Sequence, residues 1–121
     1  VENTIGENDS LSAIVAAAIG ADLLVLLSDI DGLYDKDPRR HPDARLIPTV
    51  ERVDDELFTL AEDSSTGLGT GGMITKLRAA AIATEAGCEM VIANGGKPEV
   101  LYDIAAGRPA GTRFLTGRAA V

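Results

Sequence analysis

Gly67-Leu68-Gly69-Thr70-Gly71-Gly72-Met73-Ile74-Thr75-Lys76 is the stretch on which the reading of this chain turns. Four of its first six residues are glycine, which removes the Cβ atoms that would hold an anion away from the backbone. The run contains G-x-G-x-x-G, but a dinucleotide site needs a buried strand immediately before that pattern. The preceding residues are Glu62-Asp63-Ser64-Ser65-Thr66, which are polar and turn-forming. A P-loop needs Gly followed directly by Lys and then Ser or Thr. Here Thr75 precedes Lys76 and the nearest glycine, Gly72, lies four residues back. What remains is a glycine-rich loop feeding a helix expected from about Met73 to Ala86 and closed by Gly87. The free N–H groups and macrodipole of such a helix start attract anions. Lys76, about one turn inside, can lean back toward the same phosphate. A surface loop with a solvated lysine fits the same residues.

Outward from the loop, short apolar runs alternate with helical patterns. Asp9 or Ser10 can cap a helix through Leu11–Ile19 that stops at Gly20 and is apolar almost all round, hence expected to be buried. Leu23-Leu24-Val25-Leu26-Leu27 reads as a strand buried on both faces. Asp31-Gly32 reads as an ordinary tight turn into Leu33-Tyr34. The charged, proline-bearing stretch Asp35–Arg45 is a surface loop, and Leu46-Ile47 with Val50 forms a short edge segment interrupted by Pro48. Asp54 caps a short helix through Leu57, Phe58, Leu60 and Ala61. Beyond the loop, Met90-Val91-Ile92-Ala93 is a second buried strand ended by Asn94-Gly95-Gly96. Pro98 opens another helix that stops at Gly107, and Gly111–Leu115 supplies a final strand. The fold class expected is α/β, a mostly parallel sheet sandwiched by helices. No internal repeat, low-complexity tract or domain linker interrupts the chain.

Composition narrows the function classes. The chain has 121 residues, 45% of them hydrophobic, which suffices for one core. Aromatic residues make up only 3%, so stacking platforms for single-stranded nucleic acid are scarce. A net charge of −8 repels phosphate backbones and anionic lipid, so neither nucleic acid nor membrane is expected as a partner. It leaves room for a small phosphorylated ligand held by a local lysine and a helix start. Cys88, the single cysteine, reads as a buried small residue, and His41 as a solvated loop residue without a second histidine to complete a zinc site. No signal peptide and no membrane-length apolar run is present, so the cytoplasm is the expected compartment. The chain opens at Val1 on polar residues, which reads as an excised piece.

Three segments in this order and spacing resemble the amino acid kinase family, and within it the branch that phosphorylates glutamate. They are Gly6-Glu7-Asn8-Asp9-Ser10-Leu11-Ser12-Ala13, then Ser28-Asp29 through Leu33-Tyr34 with Asp37-Pro38-Arg39 beyond, and Gly67 to Lys76. Asn94-Gly95-Gly96-Lys97-Pro98 and Gly111-Thr112-Arg113-Phe114 also fit, so the resemblance covers almost the whole chain.

The resemblance implies transfer of the γ-phosphoryl group of ATP to the side-chain carboxylate of L-glutamate, with Mg2+, as the first step of proline biosynthesis. It also implies proline as feedback inhibitor and a homo-oligomer. Carried over by position, Asn8 contacts glutamate and Asp9 holds catalytic lysines in place. Ser28 and Asp29 lie against the nucleoside, and Thr70, Gly71, Gly72, Met73, Ile74 and Thr75 line the phosphates. Lys76 stabilises the transferring phosphoryl, a reaction that depends on positioning and charge stabilisation. No carboxylate stands out as a magnesium ligand. Glu7 stands where Asp is common in the family and Ser28 where Thr is common. The family's opening strand, with a second catalytic lysine and part of the glutamate pocket, is expected upstream, so residues 1–121 read as the C-terminal, ATP-binding part of a kinase domain. Two alternatives stay open: a non-catalytic nucleotide-binding or assembly module, and an aspartate or uridylate kinase of the same family.

Overall fold

The two apolar runs become neighbouring parallel strands. The computed structural model describes residues 5–64 and 70–116. In chain order it comprises α1 (Ile5–Ala18), β1 (Leu23–Ser28), β2 (Thr49–Val50), α2 (Asp55–Ser64), α3 (Thr70–Glu85), β3 (Glu89–Asn94), α4 (Glu99–Ala105) and β4 (Thr112–Phe114). The sheet order is β1-β3-β4-β2. β1 pairs with β3 in parallel, from Leu23 opposite Glu89 to Ser28 opposite Asn94. β2 and β4 are also parallel, whereas β3 and β4 are antiparallel, with Met90 opposite Phe114. The sheet is therefore mixed, with two of its three pairings parallel.

Helices cover both faces. Met90, Ile92, Leu26 and Phe114 point toward α1, α2 and α3 in the larger core. Val91 and Ala93 point the other way, toward Ile104 of α4. This is the two-residue alternation of a strand buried on both sides, and β3 fits it fully. β1 does not. Leu27 is 51% exposed, because β1 lies at the edge of the described sheet and only part of its outer surface is covered.

α1 departs from its sequence reading in two ways. It begins at Ile5, so Asp9 and Ser10 lie inside the helix rather than capping it. It is also not buried all round. Asp9, Ala13 and Ala16, spaced four and three apart, form the covered stripe, while Leu11, Ile14 and Val15 on the opposite side are half exposed. Apolar composition alone does not say which side of a helix meets a neighbour. α3 begins at Thr70, about three residues earlier than expected. Gly71 and Gly72 disfavour helix by roughly 1 kcal/mol each. Burial of Met73, Leu77 and Ala80 along one face of α3 outweighs that penalty. Asp54 caps α2 as expected, its Oδ1 accepting the Leu57 N–H at 3.0 Å. β2 is the predicted short edge segment, and Tyr34 pairs with Leu46 across the excursion that leads to it.

α1 and α3 end in the same device. Gly20 (φ 70°) and Gly87 (φ 88°) take the left-handed conformation that reverses the chain. Ala21 N–H reaches back to Ala16 C=O at 2.9 Å, and Cys88 N–H to Ala83 C=O at 2.8 Å. Cys88 is buried as expected, and burial pushes its thiol pKa up, which makes it inert. Nothing stands within 4 Å of a Cβ added at Gly87, so only backbone strain opposes a side chain there. Gly111 (φ 63°) differs, because an added Cβ would collide with the Ile92 carbonyl oxygen across the sheet.

The excursion is tied to β4 by Thr112. Its buried hydroxyl accepts the Leu33 N–H at 2.9 Å and donates to the Ile47 carbonyl at 2.6 Å. A Cβ at Gly32 would lie 2.6 Å from that hydroxyl oxygen, so the close approach needs glycine.

Two predictions follow for the stability of the full-length protein, measured by chemical denaturation. Gly87→Ala is expected to cost about 1–2 kcal/mol, the strain of one left-handed residue, whereas Gly111→Ala is expected to cost more than about 4 kcal/mol. Equal losses at the two positions would contradict the close approach at Gly111. Thr112→Val keeps the shape and removes both hydrogen bonds, and is expected to cost about 1–3 kcal/mol.

Candidate active site

Short reversals fix where the ends of the elements gather. Gly20 and Gly87 sit in connections of only a few residues, so α1 and α3 fold back against the strands that follow them. Because β1 and β3 are parallel, the two helices run in the same direction on one face of the sheet, where they pack against each other. The starts of α1 and α3 and the carboxyl ends of β1 and β3 therefore share one edge of the molecule. Ligands of open α/β sheets bind beyond such strand ends, and helix starts facing the same edge favour anions.

The helices meet through small side chains. Ala13 and Ala16 of α1 and Ala79, Ala80 and Ala83 of α3 are buried in one cluster. Short side chains allow close approach, and near the helix starts a charged pair bridges the contact. Lys76 Nζ donates to Asp9 Oδ2 at 3.0 Å, with both side chains only 12% exposed. Lys76 is the seventh residue of α3, so it stands in the second turn rather than the first. Its side chain reaches across the helix contact to Asp9 of α1. A cation so deeply covered needs a counter-charge, and Asp9 supplies it.

Asn8 is exposed beside Asp9 at the start of α1. Ser28 ends β1, and Asp29 follows it exposed at the same edge. The Ser28 hydroxyl accepts the Ile30 N–H at 3.3 Å and donates to Asp29 Oδ1 at 3.4 Å. Thr70, Gly71 and Gly72 form the first turn of α3, so they present backbone at the helix start rather than a loop. Met73 is buried in the core and Ile74 packs against it, so those two side chains serve packing and only their backbone is available to a ligand. Gly67, Leu68 and Gly69, which carry much of the loop signature, lie outside the described residues.

A second cluster at this edge was not apparent from sequence. Asp31, expected to be an ordinary turn residue, joins the ends of β1 and β3. Its Oδ1 accepts Asn94 Nδ2 at 3.1 Å and Lys97 Nζ at 3.3 Å, and its Oδ2 accepts the Tyr34 hydroxyl at 3.3 Å. The Asn94 hydrogen bond foremost, then Lys97 and Tyr34, hold the Asp31 carboxyl below its ordinary pKa against the opposing effect of burial. Burial, followed by the charge of Asp31, pushes the Tyr34 phenol up. The available sequence signal was the polar turn Asn94-Gly95-Gly96-Lys97, at the same strand-end level as Asp31.

Among the described residues, no three His, Cys, Asp or Glu side chains gather to cage a metal ion. Asp9 is committed to Lys76, and Asp29 is exposed. Such a donor set fits a magnesium ion carried largely by phosphate oxygens, with at most one or two protein carboxylates completing its shell.

Residues 1–94 match the amino acid kinase family. The glutamate 5-kinase of Photorhabdus laumondii is 57% identical over 113 residues, which is 93% of this chain and 31% of that protein. The glutamate 5-kinase of Caldanaerobacter subterraneus is 54% identical over 114 residues, again 31% of its length. The chain thus spans about a third of the relatives it matches. Among solved structures, T. acidophilum isopentenyl phosphate kinase superposes with a TM-score of 0.63 at 27% identity, covering 88% of this chain and 38% of that one. Uridylate kinase from Archaeoglobus fulgidus gives a TM-score of 0.64 at 22% identity, covering 88% and 45%, a likeness of fold. Fold, motif order and family match agree: the chain belongs to the amino acid kinase family.

Proposed function

We propose that this chain is the C-terminal, ATP-binding part of the kinase domain of a glutamate 5-kinase. The parent protein transfers the γ-phosphoryl of ATP to the side-chain carboxylate of L-glutamate, the opening step of proline biosynthesis. The observation that carries this reading is the covered Lys76–Asp9 pair at the edge where α3 starts and β1 ends. Identity above 50% to glutamate 5-kinases along almost the whole chain favours that substrate over aspartate or uridylate.

The residues divide the work by position. The first turn of α3, Thr70 to Gly72, offers N–H groups to the phosphates, and the backbone of Met73 and Ile74 with Thr75 continues that wall. Asp9 orients the Lys76 ammonium in a covered site, so the lysine can neutralise charge on the transferring group. Ser28 and Asp29 form the shoulder for the nucleoside, and Asn8 faces the glutamate side. Mg2+, when bound, neutralises charge on the phosphate oxygens. Proline as feedback inhibitor, a homo-oligomeric parent and a cytoplasmic location belong to the same proposal. No helix among the described residues is long and apolar enough to cross a membrane. Because a second catalytic lysine is expected outside these 121 residues, the chain by itself is proposed to bind nucleotide without turnover.

Glutamate-dependent release of ADP by the full-length protein tests the assignment. Lys76→Ala is expected to lower kcat by about 10²–10³-fold, the usual loss when a charge-stabilising group is removed. A loss below about tenfold, roughly 1.4 kcal/mol of barrier, would remove Lys76 from the reaction.

A further inference from the structure

We propose that Asp31 is a positioning residue for the nucleotide: its carboxylate clasps the turn after β1 to the turn after β3 and so holds the Ser28–Asp29 shoulder in shape. The inference rests on the nucleotide reading above and adds a residue to it.

The clasp joins segments far apart in sequence. Asn94 and Lys97 both reach Asp31 Oδ1, at 3.1 Å and 3.3 Å, and Tyr34 holds the other oxygen at 3.3 Å. Asn94 is fixed in turn, because its Oδ1 accepts the Gly96 N–H at 2.8 Å, which leaves its NH2 group aimed at Asp31. One backbone bond runs beside the clasp, from Gly95 N–H to Ser28 C=O at 2.8 Å. The shoulder is thus anchored at its start by Ser28 C=O and at its far end by the Leu33 N–H bond to Thr112. Between those anchors, among the described residues, the Asp31 carboxylate is the long-range tie. The Ile30 N–H bond to Ser28 Oγ is local.

Exposure decides what this tie does. The Lys97 side chain is 59% exposed and that of Asp31 39%, so the ion pair contributes little to global stability. Its loss leaves the core intact and frees the turn that carries Asp29. The consequence falls on nucleotide affinity, because the pre-shaped shoulder must then be ordered on binding. Asp9 and Lys76 sit on the helices and are unaffected.

The test uses the full-length protein, with calorimetric titration of Mg-ADP and initial-rate kinetics. Asp31→Ala is expected to weaken Mg-ADP binding and raise the KM for ATP, each about tenfold, the size expected when charge-assisted hydrogen bonds are lost. The kcat at saturating ATP and the KM for glutamate are expected to stay within about twofold of wild type, a change worth only ~0.4 kcal/mol. Asp31→Asn retains an acceptor oxygen for Asn94 or Lys97 and is expected to recover most of the affinity. Asn94→Ala opens the same clasp from the other side, so it is expected to reproduce the KM shift, and the double variant to be no worse than either single one. An unchanged KM for ATP in both single variants overturns the proposal, as does an equal rise in the KM for glutamate or a Tm loss without a KM shift. A wild-type protein that binds no Mg-ADP overturns the nucleotide reading itself, a result distinct from variants that match a binding-competent wild type.

Discussion

The ion pair between Lys76 and Asp9 is the constraint on which this arrangement depends. A lysine at a covered helix contact is tolerated only with a counter-charge, and a carboxylate there only with a cation. Each charge therefore requires the other helix at the right distance. The alanines along both helices set that distance, and the glycine reversals fix the direction in which α1 and α3 run. A larger residue in the alanine stripe would separate the helices, and the lysine would lose its aim before the core lost its integrity.

The sheet supplies the complementary half. β3 is buried on both faces and cannot shift, and β1 is registered to it residue by residue. Their carboxyl ends thus stand level, Ser28 beside Asn94, at the edge that receives the starts of α1 and α3. Polar turns at this level are free to carry chemistry because the strands beneath them are rigid. The half-exposed apolar residues Leu11, Ile14 and Val15 lie opposite the covered stripe of α1, and half-exposed Leu27 falls on the other face of the sheet, the one that carries α4.

Much of this was legible in the sequence, for identifiable reasons. Met90 to Ala93 reads as a buried strand because four consecutive apolar residues bounded by turn formers have few other uses. Gly20, Gly87 and Gly107 mark helix ends because left-handed closure strongly favours glycine. The starts of α1 and α3 were not legible. Asp9 resembles a cap, and Gly71-Gly72 resembles a loop, until packing of one helix on the other extends both toward their N-termini. Local propensity cannot foresee that contribution. Asp31 was missed for a related reason: its partners Asn94 and Lys97 are 63 and 66 residues away, and only the parallel register of β1 and β3 brings them together.

Whether Asp9 acts through Lys76, as proposed, or independently is tested most directly by a double-mutant cycle on turnover. In the full-length protein, Asp9→Asn and Lys76→Met would be compared singly and together by glutamate-dependent ADP release. The predicted result is strong non-additivity, with the double variant no slower than Lys76→Met alone, as expected of groups acting as a unit. Losses that multiply in the double variant would mean that the two residues contribute separately, and would contradict the proposal that the covered pair acts as one unit.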